Sequence, residues 1–178
     1  MDVMPKLYRK LLPGFTLIEL LVVIGILAIL LTIVLIAINP ARQFAQSNNT
    51  RRRSDINAML NAIHQYSVDN RGNIDPLGIP VDDPLVAGSE ADPIMTDDLI
   101  APDDEVDLCV LLVPTYISAL PVDPQDGSSS DGPGASVSDC TQAYNTAYTV
   151  VQSNVATNIR ITVSAPGSEL SEVIDVTR

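Results

Sequence analysis

From Phe15 to Ile38 the chain runs for 24 residues with a single ionisable side chain, Glu19, and from Leu20 onward only Gly25 and Thr32 interrupt the apolar residues. At about 1.5 Å of rise per residue, this is roughly 36 Å of helix, enough to cross the ~30 Å hydrocarbon core of a bilayer with some tilt. An unpaired carboxylate in lipid costs at least ~2.5–3.5 kcal/mol, so Glu19 calls for a partner.

Three kinds of segment compete to explain the run. A cleaved secretory signal has a shorter apolar core, of about 7–15 residues, and a small-residue exit that Ala37-Ile38-Asn39-Pro40-Ala41 matches poorly. An ordinary transmembrane anchor explains the length but not the acid. The third kind explains both. Gly14-Phe15-Thr16-Leu17-Ile18-Glu19, followed by Leu20-Leu21-Val22-Val23-Ile24-Gly25-Ile26-Leu27-Ala28-Ile29-Leu30, resembles the N-terminus of bacterial type IV pilins and pseudopilins.

The resemblance implies a leader at residues 1–14, cleaved after Gly14 by a membrane prepilin peptidase that then methylates the new amine of Phe15. It also implies that Glu19 pairs with the Phe15 amine of a neighbouring subunit during assembly. The local chemistry suits cleavage: Pro13-Gly14 interrupts helix before the site, and Gly14 has no side chain to obstruct a protease. Lys6, Arg9 and Lys10 precede the span while Arg42, Arg51, Arg52 and Arg53 follow it, so the positive-inside rule alone does not orient the chain. The family orientation is leader inside and C-terminus outside the cytoplasmic (inner) membrane, with a cell-surface filament after assembly. Losing Asp2, Lys6, Arg9 and Lys10 would take the side-chain sum from −12 to −14.

That negative charge argues against nucleic acid as a direct partner, because a phosphate-binding face needs clustered cations. The acids are concentrated: residues 73–139 hold fifteen Asp or Glu and no Lys or Arg, which reads as a solvated, self-repelling surface. Cys109 and Cys140 are the two cysteines. Outside the cytoplasm they would pair, closing a loop of about 30 residues worth about 3 kcal/mol; in a reducing setting they would be buried thiols.

Beyond the span, Asn39-Pro40 predicts a kink or a locally melted stretch that need not end the helix. Ile56, Met59, Leu60, Ile63 and Tyr66 then recur at helical spacing, predicting an amphipathic helix over about 42–70, with Ser54-Asp55 as the site of a second break near Thr50 and Arg71-Gly72-Asn73 as the stop. His64 beside that stripe reads as a packing residue. Residues 73–107, with five prolines and eleven acids, read as an irregular loop with a turn of helix near 95–100. Strands are expected at 144–152, at 157–165 and at 173–176. In the second of these, Ile159, Ile161, Val163 and Ala165 would share the dry face. Tyr116-Ile117-Ser118-Ala119-Leu120-Pro121-Val122-Asp123-Pro124 resembles a stretch of the major pseudopilins of type II secretion, although Gln125-Asp126-Gly127-Ser128 departs from that family's continuation.

The expected fold is therefore α+β and pilin-like. A long helix, transmembrane over 15–38 and amphipathic over 39–72, packs on an antiparallel sheet of three or four strands within residues 108–178. No nucleophile–base set, phosphate loop or Cys/His metal spacing points to an enzyme or a bound cofactor. Calcium, which takes oxygen donors from loops, is the one metal suited to Asp123, Asp126 and Asp131, although their spacing lacks the EF-hand pattern. The leading function is a structural subunit of a type IV pilus-like filament. Its partners would be identical or related pilins, the prepilin peptidase/methylase, an inner-membrane assembly platform and, before assembly, membrane lipid. The alternatives are a pseudopilin of a type II secretion or DNA-uptake system, and a monomeric membrane-anchored binding protein with an acidic extracellular head.

Overall fold

The computed structural model describes residues 14–82, 91–96, 105–154 and 159–178. It falls into two units, residues 1–43 and 44–178. The leader, apart from Gly14, lies outside the described residues.

Helix α1 (Leu17–Ile38) is the apolar run, long and apolar enough to cross a membrane, with a mean hydropathy of 3.4 over an 18-residue stretch. Its one internal hydroxyl is satisfied within the helix, as a lipid environment requires: Thr32 Oγ1 donates to the Ala28 carbonyl at 2.8 Å. The helix stops at Asn39, which adopts a left-handed conformation (φ 44°) that asparagine tolerates better than most residues. The Asn39 carbonyl and side-chain oxygen both accept from the Arg42 N–H, at 3.1 and 3.3 Å. Pro40, whose missing donor costs nothing at a first helical position, opens α2 (Pro40–Asp69). The break expected at Asn39-Pro40 is thus one residue long.

Helix α2 runs on without the second break near Thr50. Thr50 Oγ1 instead donates back to the Gln46 carbonyl at 2.8 Å within a continuous helix. Its buried stripe contains the expected Ile56, Met59, Leu60, Ile63 and Tyr66, and extends backwards through Arg52, Asn49 and Ala45 at the same spacing. The stop is also as expected: Arg71 and Gly72 take positive φ, and the Gly72 N–H returns to the Ser67 carbonyl at 2.8 Å.

The sheet has five strands rather than three or four, and it is mixed rather than purely antiparallel. Strand β3 (Tyr144–Ser153) is its centre. It pairs antiparallel with β2 (Asp92–Thr96) and β4 (Ile161–Ser164), and parallel with the short β1 (Val81–Asp82); β5 (Asp175–Thr177) adds antiparallel to β4. The register aligns Val150, Val163 and Val176 across three strands. Ile161, Val163 and Ala165 are buried as the alternation predicts, but Ile159 lies before the strand and is 47 % exposed.

The two extra strands come from the acidic segment read as an irregular loop. A 3-10 turn (Asp75–Leu77) precedes β1, and Met95 and Thr96 belong to β2 instead of a helical turn; residues 97–104 lie outside the described residues. Packing overrides local composition here. Ile94 and Met95 are buried although Asp92-Pro93 is a poor strand opening, and Pro93 still contributes its carbonyl to the Val106 N–H at 3.0 Å. Leu108-Cys109-Val110-Leu111-Leu112 forms a short helix α3 (Cys109–Leu112) that contributes to the core beside the α2 stripe. Leu60 is fully buried in that core. Truncation to Ala should cost about 2–5 kcal/mol, read as a lower Tm of the detergent-solubilised protein, whereas Val68→Ala on the exposed side of α2 should change little.

Candidate functional site

The N-terminal motif is built around Thr16. Gly14, Phe15 and Thr16 are not helical, and Thr16 is the N-cap of α1 with an extended backbone (φ −81°, ψ 152°). Its hydroxyl accepts from the Glu19 N–H at 3.3 Å. In return, the Thr16 N–H and hydroxyl both donate to Glu19 Oε2 at 2.8 Å. This reciprocal capping box satisfies donors that a helix start leaves orphaned, and it sets a negative charge against the positive end of the helix dipole. The spacing Thr16-x-x-Glu19 is the sequence signature of the box. Phe15, 86 % exposed, stands beside it on the extended side. Glu19 is therefore engaged with its own helix start.

A second polar cluster lies in the head. Arg52, with no exposed side-chain surface, donates from Nε to Asp123 Oδ2 at 2.6 Å and from one terminal nitrogen to Oδ1 at 3.0 Å. Its other terminal nitrogen reaches the Asn49 side-chain oxygen at 3.0 Å and Glu169 at 3.3 Å. Asp123 also accepts from the backbone N–H groups of Gln125 and Asp126, at 2.8 and 3.1 Å. Burial alone would raise the Asp123 carboxyl. The bonds from Arg52, Gln125 and Asp126 outweigh burial and hold it below its ordinary value.

Neighbouring contacts extend the clamp between α2 and the β4–β5 turn. Asn49 Nδ2 donates to the Glu169 carbonyl and to the Glu172 carboxylate, at 2.9 and 2.8 Å, and Arg53 pairs with Glu172. Below it, the Tyr148 hydroxyl donates to Asp55 at 2.9 Å. Burial raises Asp55 against that bond and the nearby Arg51 charge. Arg52 escaped the sequence reading because an arginine normally faces water; its position four residues before Ile56 on the apolar stripe was the available signal.

Of the three acids considered for calcium, Asp123 has its oxygens committed to Arg52 and two backbone donors. Among the described residues no group of three His, Cys, Asp or Glu side chains is placed to hold a metal ion. His64 is half-buried on α2, and its Nε2 has no hydrogen-bond partner among the described residues. Cys109 and Cys140 form a disulfide with Cα atoms 5.4 Å apart, tying α3 to the approach to β3.

Residues 13–35 match the family model of the prokaryotic N-terminal methylation motif. The chain thus carries the N-terminal signature of type IV pilin- and pseudopilin-like proteins, on the residues that form the capping box and the membrane-length helix. No curated protein and no solved structure matches the chain.

The Arg52–Asp123 pair makes a pH prediction. A carboxyl held low in the fold stabilises above its unfolded pKa of about 3.9, and that stability is lost as pH falls through the lower folded value. Arg52→Met strands a buried carboxylate and should cost about 3–5 kcal/mol near neutral pH. The gap in Tm between variant and wild type should narrow on acidification, as the stranded Asp123 takes up a proton.

Proposed function

We propose that the chain is a structural, non-enzymatic subunit of a type IV pilus-like filament, processed by prepilin peptidase and assembled through its N-terminal helix. The observation that carries this reading is the methylation motif coinciding with a membrane-length helix whose lone carboxylate sits at its first turn.

In this reading water adds across the Gly14–Phe15 amide. The leader leaves with the Gly14 carboxylate, and Phe15 keeps the amine, which gives up a proton, takes a methyl group from a sulfonium donor that leaves as a thioether, and remains cationic. Before assembly the capping bonds from Thr16 offset part of the cost of holding Glu19 near lipid. On assembly Glu19 meets the Phe15 amine of the next subunit, and the apolar helices bundle against one another. The disulfide favours a head outside the cytoplasm, where such bonds persist. The acidic surface faces outward, and the filled coordination of Asp123 favours a head that needs no calcium.

Glu19→Gln separates the two duties of this side chain. The amide oxygen can still cap Thr16, but the charge is gone. The variant should be cleaved and retained in the membrane like wild type, and yield no fibres by electron microscopy. Wild-type fibre yield from Glu19→Gln would overturn the charge-pairing role. Cleaved wild-type subunit with no sheared surface fibres would instead favour the pseudopilin reading.

A further inference from the structure

The turn between β4 and β5 is built against the backbone preferences of its own residues. Leu170 and Ser171 both take left-handed backbone, with φ of 62° and 56°, and the Glu172 N–H closes the turn on the Glu169 carbonyl at 3.3 Å. Such turns favour glycine and asparagine, and a bulky side chain at positive φ is an outlier that its surroundings must enforce. Helix α2 supplies the enforcement. The Asn49 side chain donates to the Glu169 carbonyl at 2.9 Å and accepts from the Glu169 N–H at 3.0 Å. Asn48 donates to the Glu169 carboxylate at 3.0 Å, and Arg53 pairs with Glu172. What the clamped turn displays is apolar: Leu170 is 51 % exposed and Val173 84 % exposed. Leu170 lines an open groove of about 650 Å³ with Gln46, Thr50 and Arg53 of α2.

A pre-ordered turn carrying uncovered apolar side chains is a contact surface that loses little freedom on docking. Charge selects the occupant. Beyond Gly14 the chain holds twenty-one acids, seven arginines and no lysine, so two copies repel wherever their acids face one another. Both acids of this turn are instead paired, Glu169 with Arg52 at 3.3 Å and Glu172 with Arg53. We propose that the Leu170–Val173 turn and its groove form a contact surface for the head of a second copy of this chain. This rests on the reading of the chain as a subunit that meets its own copies. The carboxylates at the base of the turn, with their cations already engaged, disfavour an anionic lipid surface as the occupant.

Full-length protein with benzoylphenylalanine in place of Val173 is irradiated in its native membrane and in sheared fibres. The expected product is a covalent dimer in which both cross-linked peptides come from the head of this chain. In parallel, Leu170→Asn with Val173→Thr makes the tip polar and gives the turn a residue that accepts left-handed backbone. The Tm of this detergent-solubilised variant should equal or exceed that of the wild type. Its fibre yield should fall by about tenfold or more, the loss expected when an apolar contact at an interface is removed. A Tm below wild type overturns the proposal, because the two side chains then serve the head's own fold. Wild-type fibre yield from the variant overturns it as well, and so does a cross-link to lipid or the absence of dimer. Dimer without fibres in the wild type sinks the filament reading alone and leaves the surface standing.

Discussion

A helix that must live in hydrocarbon has to satisfy its own polar groups, and the N-terminal segment around α1 is arranged around that constraint. Thr32 bonds back to Ala28, and the side chain of Asn39 receives an N–H at the start of the next helix. The first turn is the hardest place to meet the constraint, because the opening N–H groups of any helix lack partners there. Glu19 and Thr16 solve it reciprocally, and the same carboxylate is thereby held at the end of the chain where processing would create a cation. The acid that looks anomalous in a membrane span is, in this geometry, a helix cap; the proposed function adds assembly as its second duty.

The head meets the opposite problem, a surplus of acid. Along α2 the apolar stripe is continued by Asn49 and Arg52, which carry the helix onto Asp123, Glu169 and Glu172. A fully buried guanidinium is tolerable only because nearly every donor it has is met. The disulfide then holds α3 and the approach to β3 together at the core.

How much of this was legible in the sequence follows from which signals are local. Ile56, Met59, Leu60, Ile63 and Tyr66 announced the second helix because spacing on a helix is a property of neighbouring residues alone. The alternation of Ile161, Val163 and Ala165 announced β4 for the same reason. Strand β2 was hidden because Asp92-Pro93 argues against a strand locally, and only the distant partner β3 and the burial of Ile94 and Met95 make it one. Arg52 was hidden likewise: its meaning depends on Asp123, seventy-one residues away. The capping box was missed although its signal is local: Thr16 and Glu19 lie three residues apart, but the carboxylate was read only as a partner for the Phe15 amine.

The central claim is that this helix start is a processed terminus, and intact-mass and peptide mass spectrometry of the protein from its native membrane addresses it directly. The expected mature chain begins at Phe15 with one added methyl group on its amine. A chain that retains Met1 and the leader through Gly14 would contradict it and leave a plain membrane anchor.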